Sequence, residues 1–264
     1  MRLDKHLTEK QFFPSREKAQ TAIRHQTVKV NGNIITKASY DVAETDVVEV
    51  IDIFNKYVSM GGLKLEKAIE DFGLDFQGKT VLDIGASTGG FTDCALQHGA
   101  AKVVAVDVGT DQLANQLRRD NRVISLENQD FRTLTPEMLH SESFDFIVSD
   151  VSFISLTLIL PYCAQYLKPD GLMMLLIKPQ FEARPSFLNK SGIVTDEKGY
   201  KIAIQKVVGE ALNQRFHLHN IGISTLFEQH KNVEFLSLFG KNDNRFRLDL
   251  NKLCQDVKLV KKEL

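Results

Sequence analysis

Residues 80–92, Thr-Val-Leu-Asp-Ile-Gly-Ala-Ser-Thr-Gly-Gly-Phe-Thr, constrain this chain more than any other stretch. A short apolar run ends in Asp83-Ile84-Gly85 and gives way to a glycine-rich turn, then to helical spacing. An apolar run without alternation reads as a buried parallel strand whose carboxyl end meets a ligand loop. Gly85, Gly89 and Gly90 permit positive φ, or close approach of the backbone to a ligand, at little steric cost. A helix starting near Gly90 points its first free N–H groups at whatever occupies the turn.

From Thr80 onward, apolar runs alternate with helical patterns. Val103–Val106 leads to Asp107, Val123–Leu126 precedes Asp130 in a loop, Phe144–Ser149 ends in Asp150, and Leu172–Ile177 ends in Lys178-Pro179. Runs around Ile221–Ile223 and Val233–Leu236 bring the count to seven strands, an α/β class with a doubly wound, mostly parallel sheet. One helix carries Leu156, Ile159, Leu160 and Cys163; another carries Ile204, Val207, Val208, Ala211 and Leu212. Pro169-Asp170-Gly171 reads as a turn, residues 181–197 as a mobile polar loop over the site, and residues 251–264 as a polar tail. Ahead of the sheet, Leu65, Ala68, Ile69 and Phe72 form a helical stripe. Lys64 stands beside that stripe, and periodicity alone makes it a solvated lysine.

Residues 1–52 read as a separate small α+β domain, joined by 53–58 to a larger domain over 59–250. Ser15 is suited to cap a helix bearing Ala19, Ala22 and Ile23. Val28 and Val30 alternate, Asn31-Gly32 signals a type I′ turn, Ile34-Ile35 returns, and Val47–Val50 closes the module. Net charge is −1 overall, yet residues 1–40 hold eight Lys/Arg against three Asp/Glu. Local asymmetry of this kind points to an anionic partner.

The cysteines Cys94, Cys163 and Cys254 are far apart, which argues against a disulfide scaffold or a metal site and fits a reducing, cytoplasmic setting. No secretory h-region opens the chain, and no apolar run reaches the ~18 residues a membrane helix needs.

The turn after Ile84 excludes a P-loop, because no lysine follows its glycines, and its spacing departs from Gly-x-Gly-x-x-Gly. Its Asp-x-Gly-x-x-x-Gly-Gly order resembles the S-adenosylmethionine (SAM) loop of doubly wound methyltransferases; for the loop alone, a purely structural strand–turn–helix stays open. Ligands of open α/β sheets bind outside the carboxyl ends of the strands. Asp83, Asp107, Asp150 and Lys178 all sit at such ends, which favours a site over coincidence. Asp107 follows Asp83 by 24 positions, an offset at which acids accept from ribose hydroxyls.

Two resemblances follow. Arg2-Leu3-Asp4, Ser15-Arg16-Glu17-Lys18-Ala19 and Val28-Lys29-Val30-Asn31-Gly32 resemble a small RNA-binding domain shared by a ribosomal small-subunit protein, tyrosyl-tRNA synthetases and pseudouridine synthases. That resemblance implies phosphate contacts from Arg2, Arg16, Lys18, Arg24 and Lys29. Over nearly the whole chain, the sequence is similar to the TlyA family, also called haemolysin A. The similarity rests on that module and on Gly61-Gly62-Leu63-Lys64-Leu65, Asp83 to Thr92, Ser149 to Ser155, Lys178-Pro179-Gln180-Phe181-Glu182 and Asn232-Val233-Glu234-Phe235. It implies an FtsJ-type, SAM-dependent methyltransferase acting on ribose 2′-hydroxyls of 16S and/or 23S ribosomal RNA, at cytidine.

The family's catalytic tetrad carries over as Lys64, Asp150, Lys178 and Glu234. The SAM loop carries over as Asp83, Gly85, Ala86, Ser87, Thr88, Gly89, Gly90 and Phe91, with Asp107 on the ribose and Asp130 on the adenine amino group. Met60 departs from the family, which usually has arginine after the serine at 59. A non-catalytic ribosome-assembly factor is the rival reading, and a cytolysin, for which neither a spanning helix nor barrel strands are legible, is a second. A base methyltransferase would show Asn/Asp-Pro-Pro-Tyr/Phe after the fourth strand, and Asp150-Val151-Ser152-Phe153 lacks the prolines.

Overall fold

The computed structural model describes residues 1–24, 27–50, 56–139, 142–224 and 231–262. The chain divides into two compact units, Met1–Tyr57 and Val58–Leu264. The expected joint at 53–58 falls partly outside the described residues, so its structure is known only from Lys56 onward.

In the first unit, helices α1 (Leu3–Glu9) and α2 (Arg16–Arg24) pack against strands β1 (Val28–Val30), β2 (Asn33–Ile34) and β3 (Val48–Val50), ordered β2-β1-β3 and antiparallel. Asn31 and Gly32 both take positive φ, 50° and 78°, as a type I′ turn requires. The Ser15 hydroxyl accepts the Lys18 N–H at 3.3 Å and caps α2. Leu3, Leu7, Phe13, Ala19, Ala22, Ile23, Val28, Val30 and Val42 form a core of their own.

The second unit runs α3 (Gly61–Phe72), β4 (Thr80–Ile84), α4 (Gly90–Gln97), β5 (Lys102–Val106), α5 (Asn115–Arg118), β6 (Val123–Leu126), β7 (Phe144–Ser149), α6 (Leu160–Cys163), β8 (Leu167–Ile177), α7 (Pro179–Glu182), α8 (Glu197–Asn213), β9 (His217–Ile223), β10 (Phe235–Gly240) and α9 (Leu250–Lys262). Its seven strands follow the order β6-β5-β4-β7-β8-β10-β9. The pairs from β6 to β8 are parallel, and β10 is antiparallel to both neighbours. β4 lies between β5 and β7, so strand order reverses there, and a crevice opens above the carboxyl ends of β4 and β7. The uninterrupted apolar runs suit strands covered on both faces. Leu82, Ile84, Val104, Ile147, Met173, Leu175 and Phe235 are buried with Ile204, Val207 and Ala211 of α8.

Three local expectations change. Pro169-Asp170-Gly171 lies within the span of β8, and the β7–β8 register shifts between Phe144 and Phe146 to accommodate it. Residues 181–197 are folded: α7 and a 3₁₀ turn at Pro185–Phe187 lead into a bridge between Leu188 and Val194, and Val194 is buried. The polar tail is helix α9, whose Leu253, Cys254 and Val257 enter the main core. Their spacing, i, i+1 and i+4, is an amphipathic pattern that average polarity conceals.

Candidate active site

The turn after β4 is held from two sides. Gly85 and Ala86 donate N–H groups to the Val106 carbonyl at 2.8 and 3.1 Å, and Ser87 donates its own to Asp107 Oδ2 at 2.7 Å. Gly85 has φ 79°, and a Cβ there would lie 2.7 Å from Val151 Cγ1, so the loop runs directly against the segment after β7. Asp107 also accepts the Gly109 N–H at 2.7 Å, tying two strand-end loops together. Asp83 serves the helix that follows. Buried to 1 % exposure, it accepts the Thr92 hydroxyl at 2.7 Å and so anchors α4 to β4. Burial lifts its carboxyl to about 7, although hydrogen bonds from Thr92 oppose the rise.

A cleft of about 430 Å³ lies over these strand ends, lined by Gly85, Ser87, Asp107, Gln112, Asp130 and Val151 among others. A second compartment of about 200 Å³ is lined by Ser59, Gly61, Asp83, Gly85 to Thr88, Gly90, Phe91, Asp150, Ser152 and Lys178. Gly85, Ser87, Asp150 and Ser152 belong to both, so the two are neighbouring lobes. Of the expected loop residues only Gly89 lines neither lobe; it turns the chain at φ 95° immediately before α4. Asp130 lines the larger lobe, with its carboxylate engaged by Arg132 Nη2 at 2.6 Å and Nε at 3.0 Å.

At the smaller lobe, four charged side chains from separate elements form one chain of contacts. Lys178 Nζ lies 2.7 Å from Asp150 Oδ1, and Lys64 Nζ lies 3.1 Å from Asp150 Oδ2 and 2.8 Å from Glu234 Oε2. Lys178 also donates to Ser152 Oγ at 2.7 Å and to the Asp150 carbonyl at 3.2 Å. The solvated lysine expected from helical periodicity is in fact 14 % exposed between two carboxylates. Burial alone would lower the pKa of Lys64, but the charges of Asp150 and Glu234 outweigh it and hold Lys64 above the ordinary lysine range.

Residues 57–241 match the FtsJ-like methyltransferase model, and residues 1–48 match the S4 domain model. The chain belongs to the FtsJ-like methyltransferases. Hemolysin A of Brachyspira hyodysenteriae is 42 % identical to this FtsJ-like chain over 90 % of its length and 99 % of the relative's. The 16S/23S rRNA (cytidine-2′-O)-methyltransferase TlyA of Mycobacterium tuberculosis is 37 % identical over 89 % and 87 %. A solved structure from Streptococcus thermophilus superposes with a TM-score of 0.78 at 35 % identity, covering 100 % of this chain and 97 % of that one. Membership of the FtsJ-like family implies SAM as methyl donor. The site fits such a group: the Asp107 carboxylate stands at the end of β5, and the cleft of about 430 Å³ opens over it and Gly85.

Sequence reasoning missed Gln112, Gln129, Val151, Ser152 and Phe153 of this FtsJ-like fold, which loop tracing alone does not single out. Phe153 is 92 % exposed at the cleft, with φ 65° and its ring 5.3 Å from that of Phe181. In the S4 module, Arg2 and Arg16 reach Asp4, whose side chain is fully buried, at 3.1 and 2.8 Å, and Gln20 joins them at 2.7 Å. Hydrogen bonding from Arg2, aided by Arg16 and Gln20, holds the Asp4 carboxyl far below the usual range in spite of its burial. Two of the expected phosphate contacts thus have a structural partner. Lys18 is exposed and Lys29 half-buried, while the side chain of Arg24 lies outside the described residues. No helix among the described residues is long and apolar enough to cross a membrane, and no cluster there could hold a metal ion.

Proposed function

We propose that this protein methylates ribose 2′-hydroxyls of ribosomal RNA, at cytidine in 16S and/or 23S, with Lys64, Asp150, Lys178 and Glu234 as its catalytic residues. The observation that carries this reading is the unbroken contact chain Lys178–Asp150–Lys64–Glu234 at the edge of the cleft. The names of the relatives supply the substrate class. The larger lobe, with Asp107, Gln112 and Gln129 on apolar walls, suits a nucleoside, and the loop from Gly85 to Phe91 suits the remainder of the donor. When bound, SAM supplies an electrophilic methyl group.

A ribose hydroxyl must lose its proton as it attacks. Lys64, braced by two carboxylates and titrating above its ordinary range, keeps its own proton. Lys178 lines the lobe that Lys64 does not; in this reading it first releases one of its own protons to solvent and then accepts the hydroxyl proton, whereas as an ammonium it steadies the developing oxyanion instead. Asp150 orients Lys178 through Oδ1 and Lys64 through Oδ2, and Glu234 balances the second ammonium. Placing the hydroxyl in line with the methyl group contributes further rate. The exposed ring of Phe153 at the mouth suits stacking of an unpaired base. Ribose-methylation mapping of ribosomal RNA from cells with and without this protein tests the proposal. A site that disappears with the protein, and returns with wild type but not Lys178→Ala, is the expected result; an unchanged map overturns it.

A further inference from the structure

The transfer chemistry leaves a second buried carboxylate unused. Glu182 ends α7, four residues after Lys178, and its side chain is 1 % exposed. Oε1 accepts the Leu156 N–H at 2.7 Å; Oε2 accepts the Ser155 hydroxyl at 2.5 Å and lies 3.2 Å from Lys206 Nζ. Lys206, from α8, also donates to Ser155 Oγ at 3.1 Å and to the Glu182 carbonyl at 3.3 Å. A carboxylate this deeply buried is tolerated only when its lone pairs are met, and here three donors meet them.

These contacts fix one end of a short loop whose other end belongs to the catalytic group. At its start, the Asp150 carbonyl and Ser152 Oγ accept from Lys178; at its end, Ser155 and Leu156 are held by Glu182. Between them Phe153 adopts φ 65°, a conformation that a bulky residue keeps only when its surroundings impose it. We infer that Glu182, with Lys206, is a positioning residue that clamps residues 150–155, so that Ser152 stays on Lys178 and Phe153 stays at the mouth of the cleft. The kinetic consequence rests on the methyl-transfer reading above; the structural one does not.

The test uses the full chain. Glu182→Ala should lower kcat at least about tenfold, since small misplacements near the chemistry are costly, with SAM affinity falling by a clearly smaller factor, because residues 150–154 form only one wall of the larger lobe. The chain contains no tryptophan, so Phe153→Trp gives a single tryptophan, on the loop, that red-edge excitation selects over the tyrosines. In that background Glu182→Ala should lower its fluorescence anisotropy. Glu182→Gln keeps an acceptor for Leu156 and leaves the partly exposed Lys206 on Ser155 and the residue-182 carbonyl, and should recover turnover to within about threefold. Unchanged kcat, equal losses of kcat and SAM affinity, or unchanged anisotropy would overturn the assignment. If the wild type transfers no methyl group to ribose, the methyl-transfer reading fails while anisotropy still decides the clamp.

Discussion

Lys178 and Lys64 share Asp150 but are not equivalent, and substitution separates their roles. Lys178 is 8 % exposed and donates to Ser152 and to the Asp150 carbonyl as well as pairing with Oδ1. Lys178→Ala should reduce methyl transfer by ~10²–10⁴-fold with SAM affinity, measured by calorimetry, nearly unchanged. Lys178→Arg should fail too, because a guanidinium keeps its proton throughout the working range; an active arginine variant would make the residue an electrostatic clamp instead. Asp83 offers a prediction about stability. Its carboxyl sits near 7 in the folded protein against 3.8 ordinarily, so the folded state binds the proton more tightly. The resulting stabilisation is complete below about pH 4 and is lost as pH rises toward 7, by roughly 1.4 kcal/mol per unit at most. Asp83→Asn removes that slope. Denaturant titrations at several pH values should show the variant gaining on the wild type between pH 4 and 7, and parallel curves would refute the protonated Asp83.

Helices α3 and α4 begin side by side, and glycine is what lets them. A Cβ on Gly90 would lie 2.3 Å from Ser59 Oγ, 2.8 Å from the Gly62 nitrogen and 3.2 Å from the Gly61 Cα. The last two are backbone atoms and cannot swing aside. Gly90→Ala should therefore push α3 outward, at a cost of about 1–3 kcal/mol, and draw Lys64 away from Asp150 and Glu234. A lower Tm with a disproportionate loss of turnover is expected. Gly78→Ala is the control, having positive φ but nothing within 4 Å of the added Cβ, and it should cost stability alone. The elements of this unit differ in how far they were legible. β4, β5 and β7 are plain because a strand covered on both faces writes a continuous apolar run. The acids at their ends, and Lys178 after the apolar run of β8, were legible for the same reason. The insertion of β10 between β8 and β9 was not, since strand order is set by crossovers rather than by local pattern. Lys64 misled because its partners lie 86 and 170 positions away, and helical spacing reports only on its own helix. The burial of Glu182 and the pairing of Asp4 with Arg2 and Arg16 are likewise long-range facts with no local signature.

At the scale of the molecule, the chain forms two compact units with separate cores. All the strand-end acids, Lys64 and Lys178 belong to the second unit, whereas the basic excess of residues 1–40 lies in the first. A protein lacking residues 1–57 should keep its fold and bind SAM with unchanged affinity. It should also lose methylation of structured ribosomal RNA. The S4 module then accounts for RNA retention, and its mode is testable through salt. Every phosphate that a substitution frees from the protein lowers the slope of log K against log salt by about 0.7–0.9. Arg16→Ala is a poor probe, because it also strips a partner from buried Asp4 and weakens the module itself. Lys18 is exposed, Lys29 half-buried, and neither lies in that cluster, so Lys18→Ala with Lys29→Ala should flatten the slope by the equivalent of about one to two phosphates while the module stays folded. Filter binding across a salt series reads this directly. An unaltered slope would remove both lysines from the interface, and full activity of the truncated protein on structured RNA would place RNA recognition in the second unit, where Phe153 and the rim of the cleft would have to supply it.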